Sequence, residues 1–173
     1  MQLKSKNNHL ILGASSNIAS EYINLNGKHN NNYYGISTKT NGYKNLELLK
    51  QAQDFDNRKY FSNIKFNKIF IISSRTPRQG GSINEFTQVN KLVERVLNNI
   101  DYSNSQKPQI IFLSSFSVYD KKSDYVCDTT KTSPSDYYGE SKLLLEKKLI
   151  EFSRNNNIDL LILRLPVFLY KEV

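Results

Sequence analysis

A chain of 173 residues, 38% hydrophobic and 12% aromatic, has the size and apolar content of one domain and favours a folded protein over a disordered one. Its formal charge of +8 comes from scattered lysines and arginines with no run of five, which argues against a nucleic-acid stripe and fits a solvated surface that attracts anionic metabolites. No apolar run approaches the roughly 20 residues that cross a bilayer, and the apolar part of "MQLKSKNNHLILG" is too short for a signal peptide.

"HLILG" reads as a buried strand ending in a turn, and "SSNIASEYINLNG" as a helix with Ser15 or Ser16 as N-cap and Asn26-Gly27 as its stop. "YYGIS" is a second strand after a polar loop. "NLELLKQAQDFD" permits a helix or a short strand near Gln51 to Gln53, and "NRKYFSNIKF" reads as a short helix before the strand "KIFIIS". The loop "SRTPRQGGS" follows. Phe86, Val89, Val93, Val96 and Ile100 recur at helical spacing, so "INEFTQVNKLVERVLNNI" is a long helix. "QIIFLS" is continuous and β-branched, as a strand covered on both faces should be. "SDYYGESKLLLEKKL" is the next helix, with Leu145, Leu149 and Phe152 as its buried stripe, and "DLLILRLP" closes the chain as a strand. Strands alternating with helices, without internal repeat or linker, predict one α/β domain over 1–173: a doubly wound parallel sheet between two helical layers. The one cysteine, Cys127, excludes an internal disulfide and suits a reducing cytoplasm; with only His9 and His29, far apart, it makes no metal site.

Tyr138 and Lys142 stand four residues apart, so the phenol and the amine share one helix face. An ammonium beside a phenol favours the phenolate, which suits proton exchange near neutral pH. An ordinary amphipathic helix contains such pairs too, and the remaining motifs bear on the choice. In order, "LILGASSNIAS", "QDFDNRKYF", "IIFLSSFSVYD", "YYGESKLLLE" and "LILRLPVFLY" together resemble the extended short-chain dehydrogenase/reductases, specifically the nucleotide-sugar epimerase/dehydratase family. The fourth is similar to the family's Y-G-x-S-K-x-x-x-E run, and the third to its serine pair followed by V-Y-G.

The resemblance implies a Rossmann-type domain binding NAD or NADP, with Ser115, Tyr138 and Lys142 as its catalytic residues. Tyr138 exchanges the proton, Lys142 holds the nicotinamide ribose, and Ser115 binds the reacting oxygen. Strand alternation turns Ser114 to the other face, for packing or capping. The cofactor turn is implied at Gly13, Ser15, Ser16, Asn17 and Ile18, the adenine at Asp54 and Phe55, and a further contact at Asn90. This turn departs from G-x-x-G-x-x-G at Ser16, whose Cβ sits where backbone approaches phosphate, and at Ala19, a mild change at the position where helix packs on strand. Ser37, followed by Thr38 and Lys39, replaces the acidic residue that binds the ribose of NAD, which leans towards NADP. Where H-x-A-A is usual the chain has "ISSRTP", which brings Arg75, with Arg78 nearby, towards the cofactor or substrate.

The resemblance also implies a nucleotide-sugar substrate in surface-polysaccharide synthesis, a cytoplasmic location, and a homodimer through the helices around 84–101 and 136–155. Leu143, Leu144 and Glu146 would lie along or beside that face. The family's smaller substrate domain follows its sixth strand, whereas this chain stops at Val173, so that domain is absent or the chain is truncated. The altered turn and the missing domain also admit another reading, a non-catalytic Rossmann-type module that binds a dinucleotide or a partner.

Overall fold

The apolar run before Gly13 forms β1 (Asn7–Leu12) of a computed structural model that describes residues 6–26, 31–37, 48–51, 61, 63–72, 82–103, 106–120, 125–127 and 129–166. After the turn comes α1 (Asn17–Asn26), with Ser16 as its N-cap: the Ser16 Oγ accepts from the Ala19 N–H at 3.1 Å. Then follow β2 (Asn31–Ser37), β3 (Leu48–Gln51), β4 (Lys68–Ile71), α2 (Ile83–Asn98), β5 (Gln109–Ser115), a 3-10 turn at Phe116–Val118, α3 (Tyr137–Asn156) and β6 (Leu160–Leu165). Of the segment that permits helix or strand, the described residues Leu48–Gln51 are a strand, which begins before Gln51. Of the short helix expected before β4, Phe61 and residues 63–66 form a turn instead, closed by Ile64 N–H donating to the Phe61 carbonyl at 3.0 Å. Phe61 and Phe66 are both buried, so packing overrides local propensity there.

The six strands are parallel, in the order β3-β2-β1-β4-β5-β6. Strand order reverses between β1 and β4, and the crevice beyond their carboxyl ends is where such sheets bind ligands. Alternation along β1 sends Leu10 and Leu12 into a core with Val93, Val96 and Leu97 of α2 and Leu145 and Leu149 of α3. Ile11 points the other way, to Ala19 and Ile23 of α1. Helices thus cover both faces, the doubly wound Rossmann arrangement expected from the sequence. On the edge strand β6 only alternate residues are covered, and Leu161 and Leu163 are exposed.

Helix α3 is fixed at both ends. Asp136 caps it by accepting from the Gly139 N–H at 2.8 Å, and Asn157 stops it in the left-handed region at φ 51°. Its first turn, which carries Tyr138, lies against the 3-10 turn that follows β5, where Gly139 meets the Ser117 carbonyl.

A second polar feature lies toward the opposite end of β1. His9 is buried among Tyr22, Tyr33 and Phe70, with its Nδ1 3.1 Å from the Tyr22 hydroxyl. Burial, with a smaller contribution from the charge of Lys68, lowers its pKa from 6.5 to about 4. The folded state therefore binds this proton more weakly than the unfolded chain. Its contribution to stability is complete above pH 6.5 and is lost as the pH falls towards 4, a change of about 3 kcal/mol. Unfolding free energies from urea melts at pH 7.5 and pH 4.5 should differ more for the wild type than for His9→Phe, by about 2 kcal/mol. Equal differences in the two proteins would remove His9 from the acid response.

Candidate functional site

The first βα turn is built for a tight reversal. Gly13 has φ 89°, a left-handed conformation that a side chain would strain. The N–H groups of Gly13 and Ala14 both donate to the Ile36 carbonyl, at 2.9 and 3.1 Å, which ties the turn to β2. Ser16 N–H donates to the Gly13 carbonyl at 3.0 Å, and its hydroxyl caps α1 through Ala19. Ser16 therefore has a structural role that glycine would not supply. The first N–H groups of a helix have no partner within it, so those of Asn17 and Ile18 stand at the positive end of α1. Ser15 is half-buried, while Asn17 and Ile18 are exposed there. Such a turn fits the phosphates of a dinucleotide.

Ser37, at the end of β2, is buried. Thr38, Lys39, Asp54, Phe55, Arg75 and Arg78 lie outside the described residues. Asn90 is buried on α2, and its Nδ2 donates to the backbone carbonyl and the hydroxyl of Ser141, at 3.1 and 3.2 Å. That amide joins α2 to α3 one residue before Lys142.

Around the carboxyl end of β5 the structure gathers Ser115, Tyr138 and Lys142. Ser115 Oγ accepts from the Ser117 N–H at 3.1 Å and donates to the Ser117 hydroxyl at 3.2 Å, capping the 3-10 turn. Lys142 is buried, its Nζ donating to the Leu113 carbonyl at 2.8 Å, two residues before Ser115. The same Nζ lies 4.8 Å from the Phe112 ring centre and 5.8 Å from that of Tyr138. Tyr138 is half-buried, its ring 6.0 Å from that of Phe86 on α2. The link between helix and strand end is Gly139: a Cβ there would lie 2.0 Å from the Ser117 carbonyl oxygen. Only a glycine lets the first turn of α3 approach the turn that Ser115 caps.

Burial pushes the Lys142 pKa down to about 7, against a smaller opposing pull from the Glu146 carboxylate. The amine is therefore near half-protonation at neutral pH, less fully charged than an ammonium meant to act on the phenol. A fall from 10.5 to about 7 corresponds to about 5 kcal/mol against the buried ammonium. That penalty is absent above pH 10.5 and complete below about 7, so this group makes stability rise with pH across the window. Lys142→Met keeps most of the buried chain and loses the hydrogen bond, so it should stabilise the fold at pH 7 by about 2–3 kcal/mol. Thermal denaturation checks this, and a destabilised variant would contradict the burial penalty.

A buried polar group stands beside this site. Ser114 Oγ donates to Glu146 Oε1 at 2.5 Å; Arg164 of β6 grips both carboxylate oxygens, Nε to Oε1 at 3.0 Å and Nη2 to Oε2 at 2.7 Å. Arg164 Nη1 also donates to the Tyr119 hydroxyl at 2.6 Å. Glu146 is buried, and Leu144, two residues earlier on α3, is exposed. A carboxylate next to Leu145 and one turn before Leu149, on an otherwise apolar stripe, was the available signal. Among the described residues there is no cluster of three metal-ligating side chains, and no helix long and apolar enough to cross a membrane.

Among solved structures, the chain is similar to the UDP-Glc/GlcNAc 4-epimerase from Campylobacter jejuni, with TM-score 0.74 and 20% identity over 91% of this chain and 53% of that one. It is also similar to the UDP-glucuronic acid 4-epimerase from Bacillus cereus in complex with NAD, with TM-score 0.73 and 18% identity over 92% and 56%. A third is the UDP-glucose 4-epimerase from Brucella ovis in complex with NAD, with TM-score 0.71 and 14% identity over 91% and 51%. At these identities the likeness is one of fold, and the chain spans about half the length of these proteins. No curated protein matches the sequence. The model of the NAD dependent epimerase/dehydratase family matches residues 9–169, nearly the whole chain, and on that match the chain belongs to this family.

Proposed function

We propose that this chain is the cofactor-binding part of a nucleotide-sugar epimerase, dehydratase or reductase that works through Ser115, Tyr138 and Lys142. The observation that carries the proposal is the buried Lys142 amine, held one turn beyond Tyr138 at the strand end that Ser115 caps. The dinucleotide phosphates lie against the start of α1, at Gly13, Ser15, Ser16, Asn17 and Ile18. Asp54 and Phe55 serve the adenine, and Asn90 supports the nicotinamide side through α3. The nicotinamide, when bound, supplies the hydride acceptor or donor. Tyr138 gives or takes the proton on the substrate oxygen, Ser115 hydrogen-bonds that oxygen, and Lys142 holds the ribose hydroxyls.

Ser37, Thr38 and Lys39 present no carboxylate, which favours NADP over NAD. Sugar-binding energy comes in large part from chain beyond the half shared with the solved relatives, since remote contacts position the reacting centre. The same reading includes a cytoplasmic enzyme of surface-polysaccharide synthesis and a homodimer through residues 84–101 and 136–155. One observation favours the non-catalytic alternative: the Ser16 side chain occupies the turn and its Oγ engages the Ala19 N–H, a backbone donor at the helix start that an unsubstituted turn leaves for phosphate.

Titration with NADPH and NADH, followed by nicotinamide fluorescence or calorimetry, tests the cofactor assignment. Binding of at least one is expected, with NADPH preferred. Undetectable binding of both at millimolar concentration would overturn the assignment, and a clear NADH preference would overturn only the reading of "STK".

A further inference from the structure

The buried carboxylate next to the site has consequences for Lys142 that go beyond packing. Lys142 and Glu146 lie one turn apart on α3, and both are buried. A buried amine and a buried carboxylate at this spacing would ordinarily pair with each other. They do not. Glu146 is engaged by Ser114 on β5 and by both prongs of Arg164 on β6, while Lys142 donates to a backbone carbonyl. Among the described residues Lys142 has no ion-pair partner. Ser114 and Arg164 are direct neighbours in the β5–β6 register, so the two strands present hydroxyl and guanidinium side by side to one turn of α3. Tyr119, buried after the 3-10 turn, fixes the far side of the guanidinium, which sits 5.0 Å from its ring centre.

We propose that Arg164 is a positioning residue for Lys142: by holding the Glu146 carboxylate it leaves the amine without a counter-ion and directed along the carboxyl end of β5. The inference rests on the reading of Lys142 as the lysine of the site. The groups around Lys142 make the competition explicit. On α3 they are Tyr138 and Glu146; on β6, Arg164 acts through Glu146; β5 contributes Phe112, Leu113, Ser114 and Ser115, none ionisable. From α2, Phe86 and Asn90 are neutral, and Glu94 is paired with Lys148. Among the described residues, Glu146 is therefore the carboxylate whose pairing decides the charge of Lys142, and Arg164 decides that pairing. Freed of Arg164, the carboxylate would draw the amine towards itself and away from the Leu113 carbonyl.

The test titrates Lys142 directly, in protein labelled with 13C at lysine Cε, the resonance being assigned by its loss in Lys142→Met. It needs neither cofactor nor turnover, so its failure is distinguishable from failure of the cofactor titration. In the wild type the midpoint should lie near 7. Arg164→Met should raise it by about one to two pH units, and Glu146→Gln should lower it. Arg164→Lys, which keeps a cation, should fall between the wild type and Arg164→Met. Opposite shifts are diagnostic, because general loosening of the core would move both variants the same way, towards the ordinary lysine value. Coincident midpoints in the wild type, Arg164→Met and Glu146→Gln, or shifts of the same sign in Arg164→Met and Glu146→Gln, would overturn the proposal. Should Arg164→Met fail to fold, Glu146→Gln decides alone: it is isosteric and keeps an acceptor for Ser114, and an unchanged or raised midpoint would be contrary.

Discussion

Gly139→Ala should cost about 3 kcal/mol or more and separate the first turn of α3 from the strand end it serves. The added methyl would stand 2.0 Å from the Ser117 carbonyl oxygen, 2.8 Å from its carbon and 3.0 Å from the Cβ of Pro134. The first two are backbone atoms in a turn pinned by Ser115, so no flexible side chain can yield in their place. Helix propensity favours alanine by about 1 kcal/mol, and an exposed mid-helix glycine would gain from the exchange. The sign of the effect thus separates close approach from propensity. Denaturant melting gives the stability, and the cofactor titration gives the local consequence. The expected variant melts early and binds the dinucleotide weakly, whereas a protein as stable as the wild type would show that α3 and the turn are not in contact.

Tyr138→Phe should lower redox turnover by about two to four orders of magnitude and leave the fold intact. The phenyl ring keeps its contact with Phe86, 6.0 Å between ring centres, so only the hydroxyl is removed. The assay follows nicotinamide absorbance on addition of a nucleotide sugar, in whatever form of the protein carries turnover. Retained full rate would show that Tyr138 is neither the acid nor the base. A lost rate together with a large fall in melting temperature would instead assign the tyrosine to packing.

The sheet was legible because its strands carry their own signal. The runs before Gly13 and around Ile111 are continuous and apolar, as strands covered on both faces must be, and both proved central. The segment around Gln51 was ambiguous because four residues are too few to show a period, and its strand character comes from pairing with β2. Tyr138 and Lys142 could be found because helical spacing alone puts them on one face. Gly139 could not be explained that way, since its role depends on Ser117, distant in sequence and adjacent in space. Nor could the pairing of the Glu146 carboxylate: its place on an apolar stripe points to burial, but its partner Arg164 arrives from the neighbouring strand. Long-range polar pairs leave little local trace, and the sequence contained both partners without the register that joins them.

The most direct measurement is a crystal structure of the protein soaked with NADP. The nicotinamide ribose should lie within hydrogen-bond reach of Lys142 Nζ and the Tyr138 hydroxyl, with the pyrophosphate against the first turn of α1. A dinucleotide bound on any other surface, with Lys142 still on the Leu113 carbonyl and Tyr138 turned from the ligand, would contradict the assignment of this site.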